Sequence, residues 1–236
     1  MTSASDLRRD SDALAALTAL KDQLPGDYLI VGPHASYAYH HWMFPIAKMI
    51  HLRIRADDLE KWPAVLGEPW TVRASPPTSD DARGAVRLAI LEIKLTDALL
   101  SRRRVINGLT YISPEDLCVE LLKAEKSQIL ISEVAALLVS QRQKLDWDYL
   151  CRQVVVANMG ERLTRIIETT NHEAGRALLP LPPFAASYAS ATPLPEFPQP
   201  YTRFDQPWHV KRSTIAKVLM DLRAKWKGSD ERATVR

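Results

Sequence analysis

Residues Tyr28 to Trp42 read YLIVGPHASYAYHHW, and Lys48 to Ile54 read KMIHLRI. The first stretch opens on a short apolar run, Tyr28 to Val31, closed by Gly32, the pattern of a strand buried in a sheet. Pro33 then suits the first turn of a helix, because its fixed φ is helical and its missing N–H would have no partner there. PHASYAYHHW therefore reads as helical. The second stretch alternates Ile50, Leu52 and Ile54 with His51, Arg53 and Arg55, a strand with one apolar and one polar face. Strand, glycine turn, helix and strand in close succession predict a sheet whose second strand is half-buried, with one polar face.

Working outward, Leu7, Ala13, Leu14, Leu17, Leu20 and Leu24 recur at helical spacing, so Asp6 to Leu24 predicts an amphipathic helix ended by Pro25-Gly26. Asp57-Asp58 is placed to cap LEKWPAVLG. PWTVRAS and AVRLAILEI read as strands on either side of the turn-rich PPTSDDARG. RRRVINGLTYIS predicts a hairpin across Asn107-Gly108. Ser113, Pro114, Glu115 and Asp116 supply a capping hydroxyl, a first-turn proline and first-turn acids for a helix that continues through DLCVELLKAEK. Further helices are predicted from Ser132, from Asp146 and over GERLTRIIETTNHEAG. The expected class is α+β, a mixed α/β half followed by a helical half.

Eight of the sixteen prolines fall between Pro180 and Pro207, where neither a helix nor a strand ladder is expected. Phe184, Tyr188, Phe197, Tyr201, Phe204 and Trp208 argue for an extended strap, since disordered segments usually lack aromatics. Beyond it, Ile215, Val218, Leu219, Leu222 and Trp226 share one helical face, with Lys and Arg covering the others. The expected segments are thus an N-terminal helix (1–24), an α/β core (25–112), a helical subdomain (113–178), the strap (179–208) and a basic amphipathic helix (209–236). From Trp208 onward eight Lys or Arg stand against three Asp or Glu, a net of +5, so the rest carries −2 of the overall +3. Such a tail can meet nucleic acid, an acidic protein face or a membrane surface.

No apolar run approaches the ~18 residues of a membrane span, and MTSASDLRRDSD has no secretory apolar region, so a cytoplasmic protein is expected. Cys118 and Cys151 both lie in helical apolar patterns and read as reduced core thiols. His34, His40, His41 and His51 crowd together, but His34 and His41 stand about 10.5 Å apart along one helix axis, a poor arrangement for one metal. Neither a serine-hydrolase motif nor a glycine-rich phosphate loop is present, and no cofactor is expected.

The stretches DYLIVGPHASYAYHHW, IHLRI, ISPEDLCVELL and LDWDYL…GERLTRIIE together resemble the nucleotidyltransferase-like domain of the AbiEi-type antitoxin family over about two thirds of the chain. The resemblance implies a nucleotidyltransferase-like mixed sheet with helices, and a partner that is a nucleotidyltransferase toxin. The family's N-terminal winged helix has no counterpart ahead of Tyr28, which throws weight on the C-terminal extension. In active nucleotidyltransferases the second strand carries an acid-x-acid pair, and a later strand adds a third acid. Alternate strand positions share a face, and paired Mg²⁺ ions need anionic oxygens. Here His51 and Arg53 hold the pair, Glu92 is left as the third acid, and Pro33 after Gly32 removes a phosphate-binding N–H. A guanidinium 4 Å from a dication would cost roughly 8 kcal/mol at an effective dielectric of about 20.

The resemblance therefore implies a scaffold without its chemistry: a non-catalytic binding or regulatory protein, with neither metal nor cofactor. Its partner contacts are expected at Tyr201, Phe204, Trp208, Val218, Leu222 and Trp226, because interface centres favour aromatic and large apolar side chains. The strap packing on its own domain is the competing expectation. Two further functions stand beside it. One is an active Mg-dependent nucleotidyltransferase with rearranged ligands. The other is a nucleic-acid-binding regulator using Arg102, Arg103, Arg104, Lys211 and Arg212.

Overall fold

The computed structural model describes residues 12–42, 48–74, 87–124, 128–188 and 210–233. They form a mixed α+β structure, and the chain divides between Ser113 and Pro114 into two compact units. The N-terminal helix belongs to the sheet unit, and the C-terminal helix to the helical one. Most of the strap, residues 189–209, lies outside the described residues.

The first unit is a six-stranded sheet built from β1 (Tyr28–Val31), β2 (Met49–Ile54), β3 (Trp70–Arg73), β4 (Arg87–Glu92), β5 (Arg104–Ile106) and β6 (Leu109–Tyr111). The strand order is β3-β4-β2-β1-β6-β5. β1 is central and buried at every position, which is why it reads as an unbroken apolar run. It pairs antiparallel with β2 and parallel with β6, and β2 pairs parallel with β4. In β2 the alternation appears as expected, with Ile50, Leu52 and Ile54 fully buried and His51 and Arg53 half-buried. The β5–β6 hairpin turns through Asn107 (φ 53) and Gly108 (φ 79), the left-handed pair that matches the twist of its strands.

Helix α1 (Ala13–Ala19) packs on β2 and β4, and Asp12 caps it by accepting the N–H groups of Leu14 and Ala15. It ends in turns over residues 20–23, before the expected stop at Pro25-Gly26. Helix α2 (Gly32–His40) is pinned to the sheet by the Tyr39 hydroxyl, which donates to the Ile112 carbonyl. Asp57 and Asp58 lie in a 3-10 turn, Ala56–Asp58, rather than capping the next helix, α3 (Lys61–Leu66). Asp58 accepts instead from the Lys61 ammonium at 2.7 Å. Trp62 of α3 is fully buried, edge-on to Tyr28 with ring centroids 5.7 Å apart. Helix α4 (Asp97–Ser101) precedes the hairpin.

The second unit contains α5 (Pro114–Lys123), α6 (Gln128–Gln141), α7 (Trp147–Val156), α8 (Gly160–Ala174) and α9 (Arg212–Ala233). Helix α6 starts a turn earlier than its sequence signal at Ser132. Val134 to Val139 are buried at every position, and a helix apolar all round needs neighbours all round. α5, α8 and α9 supply them. Asp146 caps α7 by accepting the Tyr149 N–H at 2.9 Å, as its position predicted. Arg162 of α8 donates to the Leu122 carbonyl at the end of α5, supplying a donor that the helix terminus lacks. Asn171 clamps the chain after α8 by bonding the N–H groups of Leu178 and Leu179 and the Leu179 carbonyl. The described start of the strap carries a short 3-10 turn, Ala185–Tyr188, where only extended chain was expected. Among the described residues no helix is long and apolar enough to cross a membrane.

Candidate functional site

The polar face of β2 and the glycine turn come together as the sequence predicted. Gly32 holds φ +64 at the end of β1, and a Cβ there would lie 3.7 Å from the His51 side chain, so the turn runs directly over His51. The parallel register of β2 and β4 sets Arg53 opposite Glu92 and His51 opposite Ile90. Glu92 is therefore a neighbour of the position that holds Arg53. The Arg53 guanidinium lies 3.6 Å from the Glu92 carboxylate, which Lys94 also approaches, at 3.5 Å. Lys94, two residues past Glu92 at the end of β4, was missed in the sequence. One carboxylate thus faces two cations.

The imidazoles nearby are held neutral. Burial lowers the His51 pKa, partly opposed by Glu92. Burial lowers that of His34 more strongly, to about 4, against the attraction of Asp12 and with some help from His51. Asp12, at the head of α1, is a neighbour of His34 that sequence reasoning did not connect, because its approach depends on how α1 folds back onto the sheet. The fit to a pair of Mg²⁺ ions is poor. Hard cations require several anionic oxygens, and this face offers one carboxylate already compensated by Arg53 and Lys94. Among the described residues no group of three or more His, Cys, Asp or Glu side chains could hold a metal ion.

A second arrangement, Ser36 and His40, looks like a nucleophile and its base. Ser36 Oγ lies 2.7 Å from His40 Nε2, both side chains buried. The Trp42 N–H, however, donates to His40 Nδ1 at 2.8 Å. An imidazole that accepts at Nδ1 carries its proton on Nε2, so His40 donates to Ser36 and cannot take its proton. The pair is a structural hydrogen bond. The thiols are equally quiet: burial raises the pKa of Cys118, which is fully enclosed, and of Cys151, which is half-buried rather than in the core as expected.

The remaining candidates divide. Arg102 is half-buried at the end of α4, Arg103 spends its guanidinium on the Leu100 carbonyl at 3.0 Å, and Arg104 is exposed on edge strand β5. Lys211 is half-buried, and Arg212 is tied to Glu173 of α8. Val218 and Leu222 do not face a partner. They are fully buried against α6 and α8, because the apolar face of α9 closes its own bundle. Tyr201, Phe204 and Trp208, and the side chain of Trp226, lie outside the described residues.

Compared with known proteins, the chain matches no family model, no curated protein and no solved structure.

Proposed function

We propose that this chain is a non-catalytic binding protein on a nucleotidyltransferase-like scaffold. In the manner of the AbiEi-type antitoxins it resembles, it neutralises or scaffolds a nucleotidyltransferase toxin in the cytoplasm. The observation that carries the reading is the register of Arg53 opposite Glu92. Where two-metal chemistry needs converging carboxylates, a guanidinium and a neutral imidazole stand beside the one acid present. A divalent cation entering here would meet Arg53 and Lys94 before it met enough oxygen ligands. The unreactive Ser36–His40 pair, the enclosed Cys118 and the half-buried Cys151, whose pKa is raised by burial, leave no alternative nucleophile among the candidates weighed.

Two measurements test the two parts of this reading. Calorimetry with Mg²⁺ and ATP or CTP is expected to show no magnesium-dependent nucleotide binding, and clear binding would favour an active enzyme with rearranged ligands. Co-expression with a nucleotidyltransferase toxin is expected to restore growth, and failure with every such toxin tried would remove the antitoxin role. The nucleic-acid reading draws less support, because Arg103 and Arg212 are committed to contacts within their own units.

A further inference from the structure

We infer that Leu179 to Phe184, reading LPLPPF, is a preformed polyproline ligand that docks in an aromatic-lined groove of a partner protein. Proline fixes its own φ at about −65° and pushes the residue before it into the extended region. Pro180, Pro182 and Pro183 therefore hold Leu179 to Pro182 in extended backbone of the polyproline II kind, which has three residues per turn. Burial follows the same period. Leu179, Pro182 and Ala185 are buried, while Pro180, Leu181 and Pro183 are exposed, Leu181 by 57%. One edge of the three-sided helix thus lies on the helical unit and two edges face away from it. Pro180 and Pro183 share one of these, about 9 Å apart, and Leu181 stands on the other.

Both ends of the segment are fixed. Asn171 of α8 bonds the N–H groups of Leu178 and Leu179 and the Leu179 carbonyl. The Pro182 carbonyl accepts the Ala185 N–H at 2.9 Å, and the turn that follows, Ala185–Tyr188, packs on α8. A ligand already held in its bound shape loses little entropy on docking. Its chemistry selects the occupant. Three exposed apolar side chains within four residues call for flat apolar walls. Among the described residues nothing donates to the carbonyl of Pro180 or Leu181, and Leu181 has the only N–H from Pro180 to Pro183. Tyrosine and tryptophan side chains offer an apolar face and a donor together, the make-up of grooves that bind polyproline segments. Pairing with a sheet edge would need the N–H groups that the prolines lack. No charged residue lies between Ala177 and Pro195, so a phosphate backbone or an anionic headgroup finds no cation there. The nearest preceding charges are the exposed Arg176 and Glu173, which His172 and Arg212 already approach.

This surface goes beyond the toxin reading and is tested without a toxin. The full chain is titrated into fluorescein-labelled SH3, WW and EVH1 domains, which carry polyproline-binding grooves, and binding is read by anisotropy. At least one domain is expected to bind, with an affinity that salt changes little. Pro180→Ala/Pro183→Ala should lose about tenfold or more in affinity and Leu181→Ser several-fold, with thermal melting changed little because all three positions are exposed. Pro195 and Pro198 are the only other prolines at the same spacing, so Pro195→Ala/Pro198→Ala is the control and should bind within about twofold of the parent. Leu181→Ser keeps every proline in place and decides the matter if the proline variant does not fold. Binding by none of the three domains would overturn the inference. So would a loss that follows Pro195 and Pro198 instead, or an affinity of Leu181→Ser equal to the parent's.

Discussion

The sheet unit and the helical unit treat buried polar side chains in different ways. In the sheet unit, Arg53 of β2 and the exposed Lys94 just past β4 approach the one Glu92 carboxylate at 3.6 and 3.5 Å, and His51 and His34 are kept neutral by burial. In the helical unit the buried acids bind helix starts instead. Glu115 accepts the Asp146 N–H at 2.8 Å, and Asp116 accepts the Tyr149 hydroxyl at 2.7 Å, so the first turn of α5 is tied to that of α7. Both groups of residues look like chemistry in a linear sequence. Only the first occupies a strand face beside a glycine turn, where a ligand could be met. There the one carboxylate already faces two cations, while Glu115 and Asp116 are fasteners.

The comparison can be broken most forcefully through packing. Trp62→Ala in the sheet unit should cost about 3–5 kcal/mol, measured by denaturant unfolding, because the fully enclosed ring leaves a cavity beside Tyr28. Acid should come next. His34 titrates near 6.5 when unfolded but at about 4 when folded, so its neutral form is favoured by folding. The associated stability is complete above pH 6.5 and is lost as pH falls toward 4, a change on the order of 3 kcal/mol. His51, lowered in the same direction, should steepen the loss. Replacing His34 with Asn should flatten that acid limb in urea titrations across the same pH range, and an unchanged limb would show that burial there is not what holds the ring neutral.

Smaller effects sharpen the other half of the contrast. Glu115→Ala should destabilise by about 1.5–3 kcal/mol, since it removes the bond that the Asp146 N–H makes to the charged Glu115 carboxylate. Asp146→Ala removes only a cap and should cost about 1 kcal/mol in a thermal melt. If the order of these two were reversed, the buried tie would matter less than the exposed cap.

Local chemistry was legible where a few neighbouring residues decide the structure. The alternation of β2, the Asn107-Gly108 turn, Pro114 at the start of α5 and Asp146 before α7 all read directly. Long-range pairing was not. Nothing in AVRLAILEI says that Glu92 lies opposite Arg53, because register depends on which strands meet. The amphipathic pattern of α9 was legible, but not what its apolar face would cover, so Val218 and Leu222 were assigned to a partner rather than to α6 and α8. Asp57-Asp58 misled as a cap because the chain there first makes a 3-10 turn.

The proposed function turns on β2 presenting His51 and Arg53 where two-metal chemistry would need carboxylates. Manganese titration followed by electron paramagnetic resonance, with ATP present, addresses this directly in the native chain and in His51→Asp/Arg53→Asp. The native chain should leave manganese free, and the doubly acidic variant should bind it through the new pair and Glu92. Stoichiometric manganese uptake by the native chain, or a folded variant that takes up none, would contradict it.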